Sequence, residues 1–146
     1  MKKKIGVFLA GRPQGGGKFQ YNLAILDAVA GLPPERYEAV VAFLEDVWTS
    51  YLVDYDLFSF QIRPGLWGRA LFKVWRRLGL PIKWWRSVNP WFHPVAQQLL
   101  QRHCHLWIFP AEDTWAYQIK VPALATIQDL MHRYERRFPE VSDQGE

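Results

Sequence analysis

The chain has 146 residues, the size of one ordinary domain, and 49% of them are hydrophobic, 16% aromatic and 22% charged. This composition excludes a disordered chain, which has few aromatic residues, and it excludes collagen-like and coiled-coil classes. The net charge of +4 is too small to identify a partner by itself. The single cysteine, Cys104, excludes a disulfide scaffold and favours a reducing compartment, and the sequence has no run of about 18 apolar residues that would predict a membrane span.

The first four segments predict a βαβ unit. A nearly continuous apolar run over Lys4–Ala10 predicts a strand buried on both faces, and Gly11–Gly17 is dense in residues that break regular structure. Apolar residues spaced by three and four predict a helix over Lys18–Ala30, and Tyr37–Leu44 predicts the next strand. Because strands joined through a helix pair in parallel, we expect an α/β fold with an open, mostly parallel sheet flanked by helices.

The rest of the chain continues this alternation without an internal repeat. Its predicted elements are a third strand at Leu57–Ile62, helices at Leu66–Leu78 and Pro90–Arg102, and short strands at Leu106–Phe109 and Val121–Ile127. The tail 142–146 has no periodicity and is predicted to be disordered.

A glycine-rich loop between the first strand and the first helix is a candidate phosphate site. Gly15, Gly16 and Gly17 would let an anion approach the helix N-terminus, where free N–H groups and the helix dipole favour negative charge. The spacing fits neither a dinucleotide fingerprint nor a Walker loop, because Phe19 follows Lys18 where the latter needs Ser or Thr. The alternative is a tight turn without a ligand.

A polar segment after the last predicted strand is the second candidate site. The Gln128 amide can donate and accept hydrogen bonds and so suits a sugar hydroxyl, and His132 titrates near neutral pH. Gln128, Asp129 and His132 are therefore the candidates for a catalytic role. Asp129 could instead simply cap a helix, and His132 could be a surface or packed histidine. The adjacent residues His103-Cys104-His105 have poor metal-ligand spacing, so no metal is predicted.

The middle of the chain is basic and rich in tryptophan. From Leu57 to Ala111 there are eight Lys and Arg residues, six Trp residues and no Asp or Glu. The helix at Leu66–Leu78 could lie on an anionic membrane, bind nucleic acid, or pack its apolar side on the sheet with its arginines solvated. Nucleic acid is the least favoured partner. The membrane-surface candidates are Arg69, Lys73, Arg76, Arg77, Trp84 and Trp85.

Three stretches together resemble the N-terminal half of a nucleotide-sugar glycosyltransferase with the GT-B fold, in the retaining family 4. The first is Lys4–Ala10 with its glycine loop and following helix, and the second is the strand Leu106–Phe109 ending in Pro110. The third and most specific is Pro122–Tyr134, followed by Phe138-Pro139-Glu140. The resemblance implies a Rossmann-like acceptor-side domain over residues 1–141.

The resemblance also implies roles for individual residues. Gly15, Gly16 and Gly17 would lie near the donor diphosphate and the acceptor, with Lys18 as a further binding candidate. Gln128 occupies the position of a family histidine beside the transferred sugar, where an amide can hydrogen-bond but cannot act as an acid or base. Asp129 and His132 would flank the same cleft.

For the whole protein, the resemblance implies a nucleotide-sugar donor, a glycan or lipid-linked acceptor from cell-envelope polysaccharide synthesis, and no metal or other cofactor. The family's donor-binding domain is not in these 146 residues, so we expect a truncated enzyme with little or no activity alone. The expected location is cytoplasmic, peripheral on the inner membrane face if the basic helix binds lipid. The alternative is a non-catalytic module that docks on a separate chain carrying the missing domain.

Overall fold

In the part of the chain that the structure describes, five parallel strands form one central sheet. The computed structural model describes residues 2–12, 16–63, 65–110 and 115–127, and within these ranges the side chains of residues 66–69 are not described. The strands are β1 (Lys3–Leu9), β2 (Tyr37–Phe43), β3 (Phe58–Gln61), β4 (Leu106–Phe109) and β5 (Ala123–Ala125). Their order is β3-β2-β1-β4-β5, and every neighbouring pair is parallel.

Helices connect the strands and lie on both faces of the sheet. They are α1 (Gly17–Ala30), α2 (Trp48–Leu52), α3 (Leu66–Arg77), α4 (Ile82–Val88), α5 (Pro94–Gln101) and α6 (Trp115–Gln118), with a 3₁₀ turn at Asn89–Trp91. The predicted α/β class with a parallel sheet is confirmed, and the fold is Rossmann-like.

Alternate residues of the central strands divide the core into two clusters. In β1, Val7 and Leu9 point to one face, where α1 and α2 contribute Leu26 and Trp48. Phe8 points to the opposite face. The cluster on that face also contains Val95, Ala96 and Leu99 of α5 and Trp107, Phe109, Trp115 and Ile119. Burial on both sides explains why β1 reads as an unbroken apolar run in the sequence.

The predicted elements mostly begin and end within a few residues of the observed ones. The helix predicted at Pro90–Arg102 begins only at Pro94, because Asn89–Trp91 forms a separate 3₁₀ turn and His93 caps α5 by accepting a hydrogen bond from the Val95 N–H. Helices α2 and α4 were not predicted. They have only five and seven residues, too few to show a helical period. A short helix after Pro110 was predicted to begin near Glu112 and Asp113; those two residues lie outside the described ranges, and α6 follows them.

Helices α3 and α4 pack against each other through aromatic rings. The rings of Phe72 and Trp75 lie 5.0 and 5.5 Å from the ring of Trp85. Trp85 was predicted to be a membrane-surface residue, and this prediction is wrong: its side chain is 1% exposed beneath α3. Leu71, Val74 and other apolar side chains of these helices are instead exposed, so the apolar side of α3 is only partly covered.

Candidate functional site

The glycine loop lies where β1 ends and α1 begins, at the carboxyl edge of the sheet. Gly16 caps α1 with a φ of +59°, a conformation that favours glycine, and its carbonyl accepts hydrogen bonds from the N–H groups of Phe19 and Gln20. Gly16, Gly17 and Lys18 are exposed, whereas Gly15 lies outside the described residues. The helix start therefore presents backbone and positive dipole to solvent, as an anion site requires.

A buried tryptophan, Trp48, holds the start of this loop in place. The indole Nε1 of Trp48 donates a 2.7 Å hydrogen bond to the Gly11 carbonyl, and the side chain is fully buried. The rings of Phe19 and Tyr51 lie 5.8 and 6.0 Å from that of Trp48. Sequence analysis missed this role because the helix carrying Trp48 was not predicted. The contact fixes where the chain leaves β1 before the glycines.

A hydrogen bond connects α1 to the chain that leaves β5. The Tyr21 hydroxyl lies 3.1 Å from Thr126 Oγ1, and the Thr126 N–H donates to the Phe109 carbonyl at 3.0 Å. Thr126 is thereby held at the same sheet edge as the glycine loop. The candidates Gln128, Asp129 and His132 follow it in the chain and lie outside the described residues.

We use the term α3–α4 surface for the exposed side chains from α3 to the 3₁₀ turn, including Leu78, which follows α3 directly. Among the predicted candidates, Lys73, Arg76, Arg77 and Trp84 are exposed on it, and the backbone of Arg69 lies in α3. Its exposed large apolar side chains are Leu71, Val74, Leu78, Ile82, Trp84, Val88 and Trp91. Trp91, 85% exposed, was not among the candidates, although the abundance of tryptophan in this stretch was a signal.

Residues His103–His105 lie at the amino edge of the sheet, where His105 has a structural role. His105 Nδ1 accepts a 3.0 Å hydrogen bond from the Lys4 N–H, which joins the start of β4 to β1. Burial raises the pKa of the Cys104 thiol to about 11. Within the described part of the chain, no three His, Cys, Asp or Glu residues are grouped to hold a metal ion.

Two further findings concern membrane spans and similar proteins. In the described ranges, no helix is both long and apolar enough to cross a membrane. Comparisons with protein-family models, curated proteins and solved structures give no match. The family resemblance therefore rests on the motif segments of the sequence.

Proposed function

We propose that this chain is the acceptor-side half of a nucleotide-sugar glycosyltransferase. The observation that carries the proposal is the Tyr21–Thr126 contact, because it holds Thr126, which comes just before the polar segment in the sequence, at the same sheet edge as the glycine loop. Open parallel sheets bind ligands at the carboxyl ends of their strands. A donor diphosphate and a sugar could therefore meet both segments at once.

In this proposal the chain binds and orients the reactants. Gly16, Gly17 and Lys18 would contact donor phosphate oxygens at the start of α1, and Gln128 would hydrogen-bond a sugar hydroxyl. The bond between the anomeric carbon and the diphosphate oxygen breaks, and its electron pair leaves with the nucleoside diphosphate. The acceptor hydroxyl oxygen bonds to the anomeric carbon, and its proton passes to a diphosphate oxygen. A second domain or chain would supply the opposite wall of the cleft.

The first test is binding of nucleotide sugars to the isolated chain. We expect uridine and guanosine diphosphate sugars to shift the amide NMR signals of Gly16, Gly17 and Thr126, and we expect little or no sugar transfer. Gly17→Ala should weaken these shifts without changing Tm, since an added Cβ meets nothing within 4 Å in the free protein. Gly11→Ala, which is equally unobstructed, is the matched control. Shifts elsewhere on the molecule, or efficient transfer by this chain alone, would contradict the proposal.

We also propose that the protein acts at an anionic lipid surface, through the α3–α4 surface. Tryptophans such as Trp84 and Trp91 suit the headgroup region, and Lys73, Arg76 and Arg77 suit lipid phosphates. The absence of acidic residues from Leu57 to Ala111 removes repulsion from such a surface. The apolar side chains supply the second component that interfacial binding needs.

Vesicle co-sedimentation tests this surface. The chain should bind phosphatidylglycerol vesicles at low salt, not phosphatidylcholine vesicles, and should dissociate as salt rises. The variant Lys73→Gln/Arg76→Gln/Arg77→Gln should lose most of the binding. The control Lys2→Gln/Lys3→Gln/Arg36→Gln removes the same charge from exposed residues elsewhere and should retain it. Equal losses in both variants would show that net charge alone is responsible.

The exposed edge of β5 favours a second candidate function, a non-catalytic module that docks on another chain. Leu124 is 56% exposed and Ile127 66% exposed at this edge. Apolar residues on an open strand edge are a common docking feature. Size-exclusion chromatography with light scattering on the chain alone distinguishes the two functions. Self-association that Leu124→Gln abolishes would favour docking. A well-behaved monomer would argue against docking.

A further inference from the structure

A small basic pocket lies between α4 and the connection from α6 to β5. Its lining residues are Lys83, Arg86, Ser87 and Lys120, and its volume is about 250 Å³. A water molecule takes up roughly 30 Å³ of liquid volume, so the space admits a phosphate group with bound water. Among the residues that the structure describes, no carboxylate lines the pocket.

The helical spacing of α4 builds one wall of this pocket. Lys83, Arg86 and Ser87 are related by three and four positions and therefore share one side of the helix. The Ser87 hydroxyl donates to the Lys83 carbonyl at 3.1 Å, so it is committed to the helix. The donors that remain for a ligand are the side chains of the three cations.

Two hydrogen bonds hold the α4 side of the pocket against the opposite side, which is formed by the connection from α6 to β5. An Arg86 terminal nitrogen donates to the Ile119 carbonyl at 3.2 Å, and Asn89 Nδ2 donates to the Gln118 carbonyl at 2.7 Å in a buried position. Lys120 follows directly in the chain, so it is held facing α4 by its neighbours. The pocket is therefore assembled by the fold before any ligand binds, which lowers the entropy cost of binding.

The pocket concentrates positive charge without a compensating group. Within the described part of the chain, neither lysine forms an ion pair and the buried Nε of Arg86 has no hydrogen-bond partner. Like charges gathered in a partly enclosed space repel one another and attract an anion. Three cations around a space of this size match the charge and geometry of a phosphate group.

The pocket lies away from the proposed transfer site. Lys120 precedes β5 and so lies at the amino edge of the sheet, whereas Gly16 and Thr126 lie at the carboxyl edge. It therefore cannot serve the same donor diphosphate. Trp84 of the α3–α4 surface is the neighbour of Lys83 in α4, so the pocket is close to the proposed lipid surface.

We propose that Lys83, Arg86 and Lys120 form a binding site for a phosphate group, taken either from solution or from a lipid headgroup. The site deepens the membrane proposal and does not depend on transferase activity. Because the lysines are exposed, their replacement by glutamine should leave the fold intact. Thermal melting of each variant checks this.

The first experimental arm uses inorganic phosphate and the full chain. At constant ionic strength, phosphate should cause saturable NMR shifts at Lys83, Arg86 and Lys120. Lys120→Gln should weaken the apparent affinity by about tenfold or more, the effect of losing one charge-assisted hydrogen bond. Lys73→Gln, outside the pocket, should not change it. Absence of saturation, or equal shifts at Lys73, would overturn the site.

The second arm uses vesicles to identify the source of the phosphate. If Lys120→Gln weakens binding to phosphatidylglycerol vesicles and the phosphate shifts together, the site takes lipid headgroups. If it weakens only the phosphate shifts, the site takes soluble phosphate. The membrane proposal is then decided by the vesicle experiment with the Lys73, Arg76 and Arg77 variant. If it weakens neither, the proposal is wrong.

Discussion

Gly6 shows how one missing side chain sets the spacing of two central strands. It lies beside Trp107 in the parallel pairing of β1 with β4, and a Cβ at this position would overlap the indole ring. Trp107 is fully buried, so moving its ring would disturb the packed core around it. Glycine is therefore required at position 6 for steric reasons.

Gly6→Ala should therefore destabilise the protein by about 1–3 kcal/mol, the usual cost of overpacking a core. Thermal unfolding should show a Tm lower by several degrees. Gly11→Ala is the control, because nothing lies within 4 Å of its added Cβ. Equal melting of the two variants would mean that the indole ring moves without cost.

A second residue-scale prediction concerns Tyr55 and alkaline pH. Its hydroxyl donates a 2.6 Å hydrogen bond to Asp27, and this bond, with smaller contributions from burial and from the charges of Asp27 and Asp54, raises the pKa of Tyr55 to about 12. A pKa above the unfolded value of 10.0 means that folding favours the protonated phenol. The contribution of this hydrogen bond to folding stability is complete below pH 10 and is lost as the pH rises towards 12.

Tyr55→Phe should be less stable than the parent chain at pH 8, and the difference should shrink between pH 10 and 12. Urea unfolding across this range measures it. Tyr117→Phe, at an exposed tyrosine, corrects for general alkaline destabilisation. A difference that stays constant to pH 12 would show that the hydrogen bond does not govern this titration.

At the scale of elements, α2 supports the glycine loop through one indole N–H. Trp48→Phe should keep the aromatic contacts with Phe19 and Tyr51 and lose the hydrogen bond to Gly11. We expect faster amide hydrogen exchange at Gly11, Gly16 and Gly17 and a loss of stability of about 2–3 kcal/mol, because the substitution removes one hydrogen bond and leaves a small cavity in the core. Tyr51→Phe alters the same aromatic cluster without touching that bond. Unchanged exchange in Trp48→Phe would mean that the loop is held by other contacts.

The sequence predicted strands well where the sheet is covered on both faces. Lys4–Ala10 and Leu106–Phe109 were identified because continuous apolar runs mark strands covered on both faces. The amphipathic pattern predicted the helix α3 itself. It could not show that Phe72 and Trp75 pack while Leu71 and Val74 stay exposed, because periodicity does not reveal what covers a face.

The candidate site was predictable only in part. A run of glycines after a strand indicated the loop at Gly16 and Gly17, since a helix start with glycines has a local signature. The contact between Tyr21 and Thr126 joins residues far apart in the chain, as does the one between Arg86 and Ile119. Such contacts follow from strand order and helix placement, which no local pattern encodes.

At the scale of the whole molecule, the two edges of the sheet have different proposed roles. The glycine loop and Thr126 lie at the carboxyl edge, and the pocket around Lys120 lies at the amino edge. Both positions depend on β1 and β4, because the pairing of these two strands joins the two halves of the sheet. A variant that loosens these strands should therefore affect both sites, whereas a surface change at one site should leave the other intact.

Amide hydrogen exchange tests this division across the sheet. Exchange should be slowest in β1, because Val7 and Phe8 are fully buried and this strand has hydrogen-bonded neighbours on both sides. It should be fastest in β5, where Ala123–Ala125 are exposed at the edge. Gly6→Ala should speed exchange in β1 and β4 together, whereas Lys120→Gln should leave both unchanged. Strong protection of β5 in the isolated chain would instead show that its edge is covered in solution.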